Sequence, residues 1–204
     1  MTETIRLLIA DDQAMVRGAL ATLLGLEDDL EVVAEAANGD DALAACLDGG
    51  VDVALLDIEM PKRTGIEVAE ALRARGAGVR VLIVTTFGRP GYLQRAMVAG
   101  ALGFVVKDAP AEQLAQAVRR VHRGERVIDP QLAAESLAIG ASPLTDRERE
   151  VLTEASDGAS VRVLAQRLHL SEGTIRNHLS AAIGKVGADN RAAAVHEARR
   201  RGWL

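Results

Sequence analysis

The sequence holds one cysteine, one tryptophan, one tyrosine and two phenylalanines in 204 residues. A lone Cys46 cannot close an internal disulfide and has no metal-ligating residues at ligand spacing around it, so it reads as a small buried apolar residue. With aromatics at 2% the core must be built from Ala, Leu, Val and Ile, and aromatic stacking platforms for single-stranded nucleic acid are excluded. Long apolar runs are also missing. The longest, residues 51–58 and 79–84, fall far short of the roughly 20 residues a membrane span requires, and the first is broken by Asp52 and Asp57. The opening residues carry acids where a secretory signal needs an uncharged apolar stretch, so a cytoplasmic protein with no membrane partner is expected.

What is present is an ordinary globular composition, 49% hydrophobic and 26% charged, which excludes general disorder. The length allows one large domain or two small ones. The net charge of −5 conceals an asymmetry: residues 1–130 hold 14 basic against 20 acidic side chains, whereas residues 160–204 hold 8 against 3. An acidic front and a basic tail imply two domains with different partners, the tail being the candidate for nucleic acid.

Apolar β-branched runs predict strands at 5–10, 31–36, 53–57, 79–85 and 103–107, and apolar residues at helical spacing predict helices at 14–24, 41–47, 65–75, 92–99 and 114–121. Gly39, Gly76, Gly78 and Gly100 fall at the joints, and Pro110 suits the first turn of the fifth helix. Strict (βα)₅ alternation implies an α/β domain with a doubly wound parallel sheet, its chemistry lying outside the carboxyl ends of the strands. Residues 129–143 contain a short helix candidate at 132–139 followed by Gly-Ala-Ser-Pro, so the chain divides into a first domain at 1–125, a linker with a short helix at 126–142, and a second domain at 143–204. The second domain reads as all-α. Helices are predicted at 145–156 behind a Thr145/Glu148 capping box, and at 161–168, 172–186 and 191–200 behind Ser160, Ser171 and Asn190. Only residues 169–171 separate the second and third of these, which is the spacing of a helix-turn-helix.

The predicted strand ends carry the chemistry. Asp11 and Asp12 follow the first strand, Asp57 ends the third, Thr85 the fourth and Lys107 the fifth, so the fold brings all five to one rim. Taken singly, a DD pair is ordinary helix capping and a Lys after a strand is an ordinary surface residue; five such groups at successive strand ends are not. Three neighbouring carboxylates repel, and a hard divalent cation such as Mg²⁺ relieves the repulsion. A carboxylate beside Mg²⁺, a lysine and a threonine hydroxyl is placed to attack a phosphoryl group. Asp57, on the central strand, is the candidate nucleophile.

These residues, with Met60-Pro61, Gly65 and Phe104, resemble the receiver domain of bacterial two-component response regulators, and the tail resembles the LuxR-type helix-turn-helix of the NarL/FixJ family. The tail's matching positions are Leu144-Thr145, Glu148-Arg149-Glu150, Gly158, Leu164-Ala165, Leu170-Ser171, Thr174-Ile175, Lys185 and Arg191. The resemblance implies a flavodoxin-like sheet of strand order 2-1-3-4-5 joined to a four-helix DNA-binding domain. It implies that Asp57 accepts a phosphoryl group from a sensor histidine kinase. Mg²⁺ would be held by Asp12, Asp57 and the backbone carbonyl of Glu59, with Asp11 assisting through water. Thr85 and Lys107 would contact the phosphoryl oxygens, with Thr85 and Phe104 as the switch pair. Phosphorylation would drive homodimerisation and binding to promoter DNA, with RNA polymerase as a further partner; the receiver would catalyse only its own phosphorylation and dephosphorylation and is no metabolic enzyme. Within the family, residues 26–33 and 85–96 resemble regulators of fatty-acid-desaturase genes paired with membrane thermosensor kinases. Asp108 departs from the pattern, since many receivers have Pro there.

On the exposed face of the third tail helix, Arg176 suits guanine and Asn177 adenine, with Ser180 a less discriminating reader. Thr174, His178 and Lys185 suit phosphates. Val161 and Val163 stand where the family commonly has Asn and Glu, and the recognition helix has only Arg176 and Lys185 as full positive charges. Such sparse charge predicts weak binding by one domain and a need for paired half-sites about 10 bp apart. Two other readings stay open: an Asp-nucleophile phosphatase, which needs a second Asp where Glu59 stands, and a constitutive or ligand-controlled DNA-binding regulator with a receiver fold.

Overall fold

The computed structural model describes residues 4–86, 90–139 and 142–204. The chain separates into two compact units, one of residues 1–88 and 93–134 and one of residues 89–92 and 135–204.

The first unit is a parallel sheet in the order β2-β1-β3-β4-β5-β6, formed by Ile5–Ala10, Leu30–Ala36, Val53–Leu56, Arg80–Thr85, Gly103–Val106 and Val127–Ile128 for β1 to β6. β1, β3 and β4 are apolar almost throughout because helices cover both faces of the sheet, and nearly all their residues are buried. Edge strand β2 instead alternates, exposing Glu31, Val33 and Glu35. The five crossover helices are α1 (Ala14–Leu24), α2 (Gly39–Leu47), α3 (Gly65–Ala74), α4 (Pro90–Ala99) and α5 (Ala111–His122). α5 buries Leu114, Ala115, Ala117, Val118 and Val121 against Ile9, Leu55 and Leu82 of the sheet.

Two details of the first unit stand out against the sequence expectation, and a third settles a point it left open. β6 adds a sixth strand, two residues long and paired with Gly103 and Phe104, too short to leave a periodic signal. α5 begins at Ala111, so Pro110 stands at the cap position, where its missing N–H costs nothing. The peptide between Lys107 and Asp108 is trans, and the chain turns there through an Ala109 N–H to Val106 carbonyl bond of 3.1 Å.

The helix α6 (Pro130–Ile139) spans the division between the units. Gly140 and Ala141 of the expected linker, and residues 87–89 of the 85–96 phrase, lie outside the described residues. The second unit contains α7 (Asp146–Glu154), α8 (Val161–Arg167), α9 (Glu172–Val186) and α10 (Arg191–Arg200). Each opens on a side-chain cap: Thr145 with Glu148 in a reciprocal box, then Ser160, Ser171 and Asn190. The helix expected to run to 156 stops at Glu154 and tightens into a 3₁₀ turn, Ala155–Asp157, ended by Gly158 at φ 83°. Leu152, Leu164, Ile175, Ala182 and Ala194 form its aliphatic core with Trp203, the only tryptophan of the chain.

Candidate phosphoacceptor pocket and nucleic-acid interface

Parallel strands that all end at one rim bring the five predicted side chains together. Asp11 is 1% exposed, Asp57 6% and Thr85 4%, while Asp12 and Glu59 are exposed. The carboxylate oxygens of Asp11, Asp12 and Asp57 lie within 4.8 Å of one another. Lys107 enters from the end of β5, its Nζ 2.6 Å from Asp11 Oδ2 and 3.3 Å from Asp57 Oδ1. Its backbone is fixed by an N–H donated to the Thr85 carbonyl at 2.8 Å, so β4 and β5 place the hydroxyl and the ammonium together. Asp11 Oδ2 and Lys107 Nζ are both buried and make no directed hydrogen bond despite their closeness. A buried carboxylate oxygen with no directed donor, beside two further carboxylates, fits a hard cation with oxygen ligands. Phe104, named with Thr85 as the switch pair, is fully buried.

The pocket is electrostatically uneven. Burial pushes Asp57 up from its ordinary 3.8 to about 6, with the charge of Asp11 adding to the effect and Lys107 opposing it. Ionised Asp57 therefore costs stability. The cost is absent below pH 3.8, grows between pH 3.8 and about 6, and is fully present above that, amounting to about 3 kcal/mol at 1.36 kcal/mol per unit. Urea unfolding in EDTA, followed by far-UV circular dichroism because the first unit has no tryptophan, is expected to show Asp57→Asn more stable than wild type at pH 7.5 and equal to it at pH 4. A constant difference across that range would contradict this. Burial also pushes the Cys46 thiol up to about 12, so it is no nucleophile.

The loop carrying Asp57 is packed against the start of α3. The Gly65 N–H donates to the Ile58 carbonyl at 3.2 Å, and a Cβ at Gly65 would lie 2.2 Å from the carbonyl oxygen of Asp57. One side chain that the sequence reading passed over reaches the pocket's other wall. Arg17 of α1 donates from Nη1 to the Asp11 carbonyl at 2.6 Å and pairs through Nε with Glu35 at 3.3 Å. It is the sole charge of an otherwise uncharged helix, but nothing in the local sequence names its partners.

In the second unit, Arg176, Asn177 and Ser180 are exposed on α9 and His178 is half-buried. Arg176 is held by Glu172 one turn back at 2.7 Å. Two residues expected at phosphates have partners inside the domain. The Thr174 hydroxyl is 2.8 Å from the Ser171 cap, and Lys185 Nζ is 2.7 Å from the buried carboxylate of Glu148. Burial raises the Glu148 carboxyl, but Lys185 and the Thr145 N–H outweigh it and hold it below the usual range. Arg191 donates to the carbonyls of Gly158 and Ala159, fastening α10 to the turn after α7. Arg162, not singled out from sequence, is exposed in the first turn of α8 and makes no ion pair or hydrogen bond among the described residues. A cation there opposes the helix dipole, so it does not serve the helix; that is the signal that could have found it.

Residues 7–119 match the response regulator receiver domain family, and residues 142–198 match the bacterial regulatory proteins of the luxR family. The chain is 45% identical over 200 residues to the transcriptional regulatory protein DesR of Bacillus subtilis, covering 98% of this chain and 99% of that protein. It is 43% identical over 205 residues to the response regulator RamR of Streptomyces coelicolor, covering both in full. The crystal structure of ChrA, a response regulator of a heme-sensing two-component system, matches over 98% of this chain and 99% of that one, with a TM-score of 0.59 at 36% identity. An acidic pocket at the strand ends of a receiver, followed by a helix-turn-helix, places the chain in the family of two-component response regulators that carry a LuxR-type DNA-binding domain.

Proposed function

We propose that this response regulator is switched by transfer of a phosphoryl group from a sensor histidine kinase to Asp57, and that the switched form dimerises and binds promoter DNA. The observation that carries the reading is Lys107 Nζ lying 3.3 Å from Asp57 Oδ1 in a cluster of three acids, of which Asp11 and Asp57 are buried. Asp12, Asp57 and the Glu59 carbonyl would hold Mg²⁺, with Asp11 assisting, and the ion would neutralise charge on the transferring oxygens. Asp57 supplies the attacking oxygen, and the bond from phosphorus to the donor's leaving group breaks. Lys107 and the Thr85 hydroxyl meet the phosphoryl oxygens. The acyl phosphate adds about two negative charges, and the same pocket would later admit water and hydrolyse it. Thr85 and the buried Phe104 would carry the change from the pocket to the face made by the fourth and fifth helices.

For the second unit we assign residues 143–204 to DNA binding, residues 1–125 to the receiver and residues 126–142 to the linker. Arg176 and Asn177 would read bases by paired hydrogen bonds, aided by Ser180. Thr174, His178 and Lys185 would contact phosphates, and the exposed Arg162 joins them, since the first helix of such motifs crosses the backbone. Two outcomes separate these roles. Arg176→Ala is expected to weaken binding by roughly 1–3 kcal/mol at a preferred site and relax the preference at one base. Arg162→Gln is expected to weaken all sequences alike and lower the slope of log affinity against log salt by about 1. Titrations at several salt concentrations check both; an unchanged slope in Arg162→Gln removes that residue from the contact set.

The switch itself is tested by light scattering in Mg²⁺ with and without beryllofluoride, on wild type and Asp57→Asn. A shift from monomer to dimer in wild type alone supports the reading. No shift in either overturns phosphorylation-driven dimerisation and favours a constitutive regulator. RNA polymerase enters as the partner recruited at the bound promoter.

A further inference from the structure

We propose that Arg17 is a positioning residue of the acidic pocket: held by Glu35, its guanidinium clamps the main-chain carbonyl of Asp11 and so fixes Asp11 and Asp12 where a divalent cation is taken up. This rests on the reading of the pocket as a cation and phosphoryl site.

Asp11 is where β1 ends and the chain turns toward α1, and all its polar atoms but one are committed. Its N–H donates to the Ala36 carbonyl at 3.1 Å, its Oδ1 accepts from the Gln13 N–H at 2.9 Å, and its carbonyl accepts from Arg17 Nη1 at 2.6 Å. The remaining atom, Oδ2, faces Lys107. Ala36 and Glu35 both belong to β2, so the turn is tied to that strand twice, once through backbone and once through the Arg17–Glu35 pair at 3.3 Å. Without such ties, mutual repulsion among the three carboxylates would push the exposed Asp12 outward, since Lys107 pairs with Asp11 and Asp57 and Asp12 has no ion pair among the described residues. Arg17 opposes this in two ways. It fixes the turn, and it brings a full positive charge, on a side chain only 18% exposed, to the main chain between β1 and Asp12.

The chemistry asks for arginine. Nη1 and Nε of one rigid fork meet two acceptors on different elements, a carbonyl at the pocket and a carboxylate on β2, which a lysine with a single nitrogen meets less well. Groups that orient metal ligands from behind typically change metal affinity by 10–100-fold when removed. Arg17 touches no reacting atom, so its effect should appear in cation affinity.

Isothermal titration of Mg²⁺ into the full chain tests this with wild type, Arg17→Gln, Arg17→Lys and Glu35→Gln, each also melted without metal. Arg17→Gln is expected to raise the Mg²⁺ dissociation constant roughly 10-fold or more, with Arg17→Lys recovering part of the loss. Glu35→Gln, at a half-exposed position that tolerates an amide, is expected to raise it several-fold with the metal-free melting temperature unchanged. If Arg17→Gln does not fold, Glu35→Gln and Arg17→Lys decide. Wild-type affinity in both Arg17→Lys and Glu35→Gln, or in Arg17→Gln where it folds, overturns the role of Arg17. Absence of Mg²⁺ binding by wild type instead overturns the reading of the pocket.

Discussion

Treated with acetyl phosphate and Mg²⁺, the wild-type chain is expected to take up one phosphoryl group and Asp57→Asn none, as read by intact mass. Asn keeps the shape of the side chain and removes the attacking oxygen's charge. Asp11 is no substitute, because its Oδ1 accepts from the Gln13 N–H and its Oδ2 lies 2.6 Å from Lys107 Nζ on a residue only 1% exposed. Asp12 is exposed and lies off the central strand. Lys107→Met is the companion variant. It preserves length while removing the cation that stands 3.3 Å from Asp57, and loss of one such charge-stabilising group costs roughly 10²–10³ in rate. Full uptake by Asp57→Asn would move the acceptor elsewhere. An undiminished rate in Lys107→Met would show that its ammonium serves only to offset the acids.

The second large effect is steric. Gly65→Ala places a methyl 2.2 Å from the carbonyl oxygen of Asp57, 3.0 Å from its carbonyl carbon and 3.1 Å from Leu56 Cβ. Two of the three are backbone, so no flexible side chain can yield, and either α3 or the Asp57 segment must move. The expected cost is about 3 kcal/mol, at the upper end for overpacking, read from the far-UV transition in urea. Displacement of the acceptor by about 1 Å would slow phosphoryl uptake by roughly 10²-fold as well. Gly18→Ala is the control. It lies inside α1 with nothing within 4 Å of the added methyl, and is expected to stabilise the chain by about 0.5–1 kcal/mol through helix propensity. A Gly65→Ala variant as stable as wild type would mean that the β3–α3 connection is compliant.

Much of this molecule is written in local pattern. Buried parallel strands must be apolar on both faces, so β1, β3 and β4 stand out as continuous runs, and β1, α1, α9 and α10 begin and end where periodicity and caps place them. The pocket was legible for the same reason: strand order carries Asp11, Asp57, Thr85 and Lys107 to one rim once five parallel strands are assigned. β6 was not legible, because two residues carry no period. Nor were the side chains whose role depends on a distant partner. Lys185 reads along α9 as a solvent-facing cation, and only folding sets Glu148 of α7 within 2.7 Å of it. Arg17 looks like a surface charge on α1 until β2 brings Glu35 alongside. Spacing along the chain determines which face a residue occupies and which strand end it reaches, because helix and strand periods are local. Whether a charge stays available to a ligand or is taken up by a neighbour is decided only by tertiary contact, since the competing partner lies 18 residues away in sequence for Arg17 and 37 for Lys185, and an ionic pair needs a few ångströms.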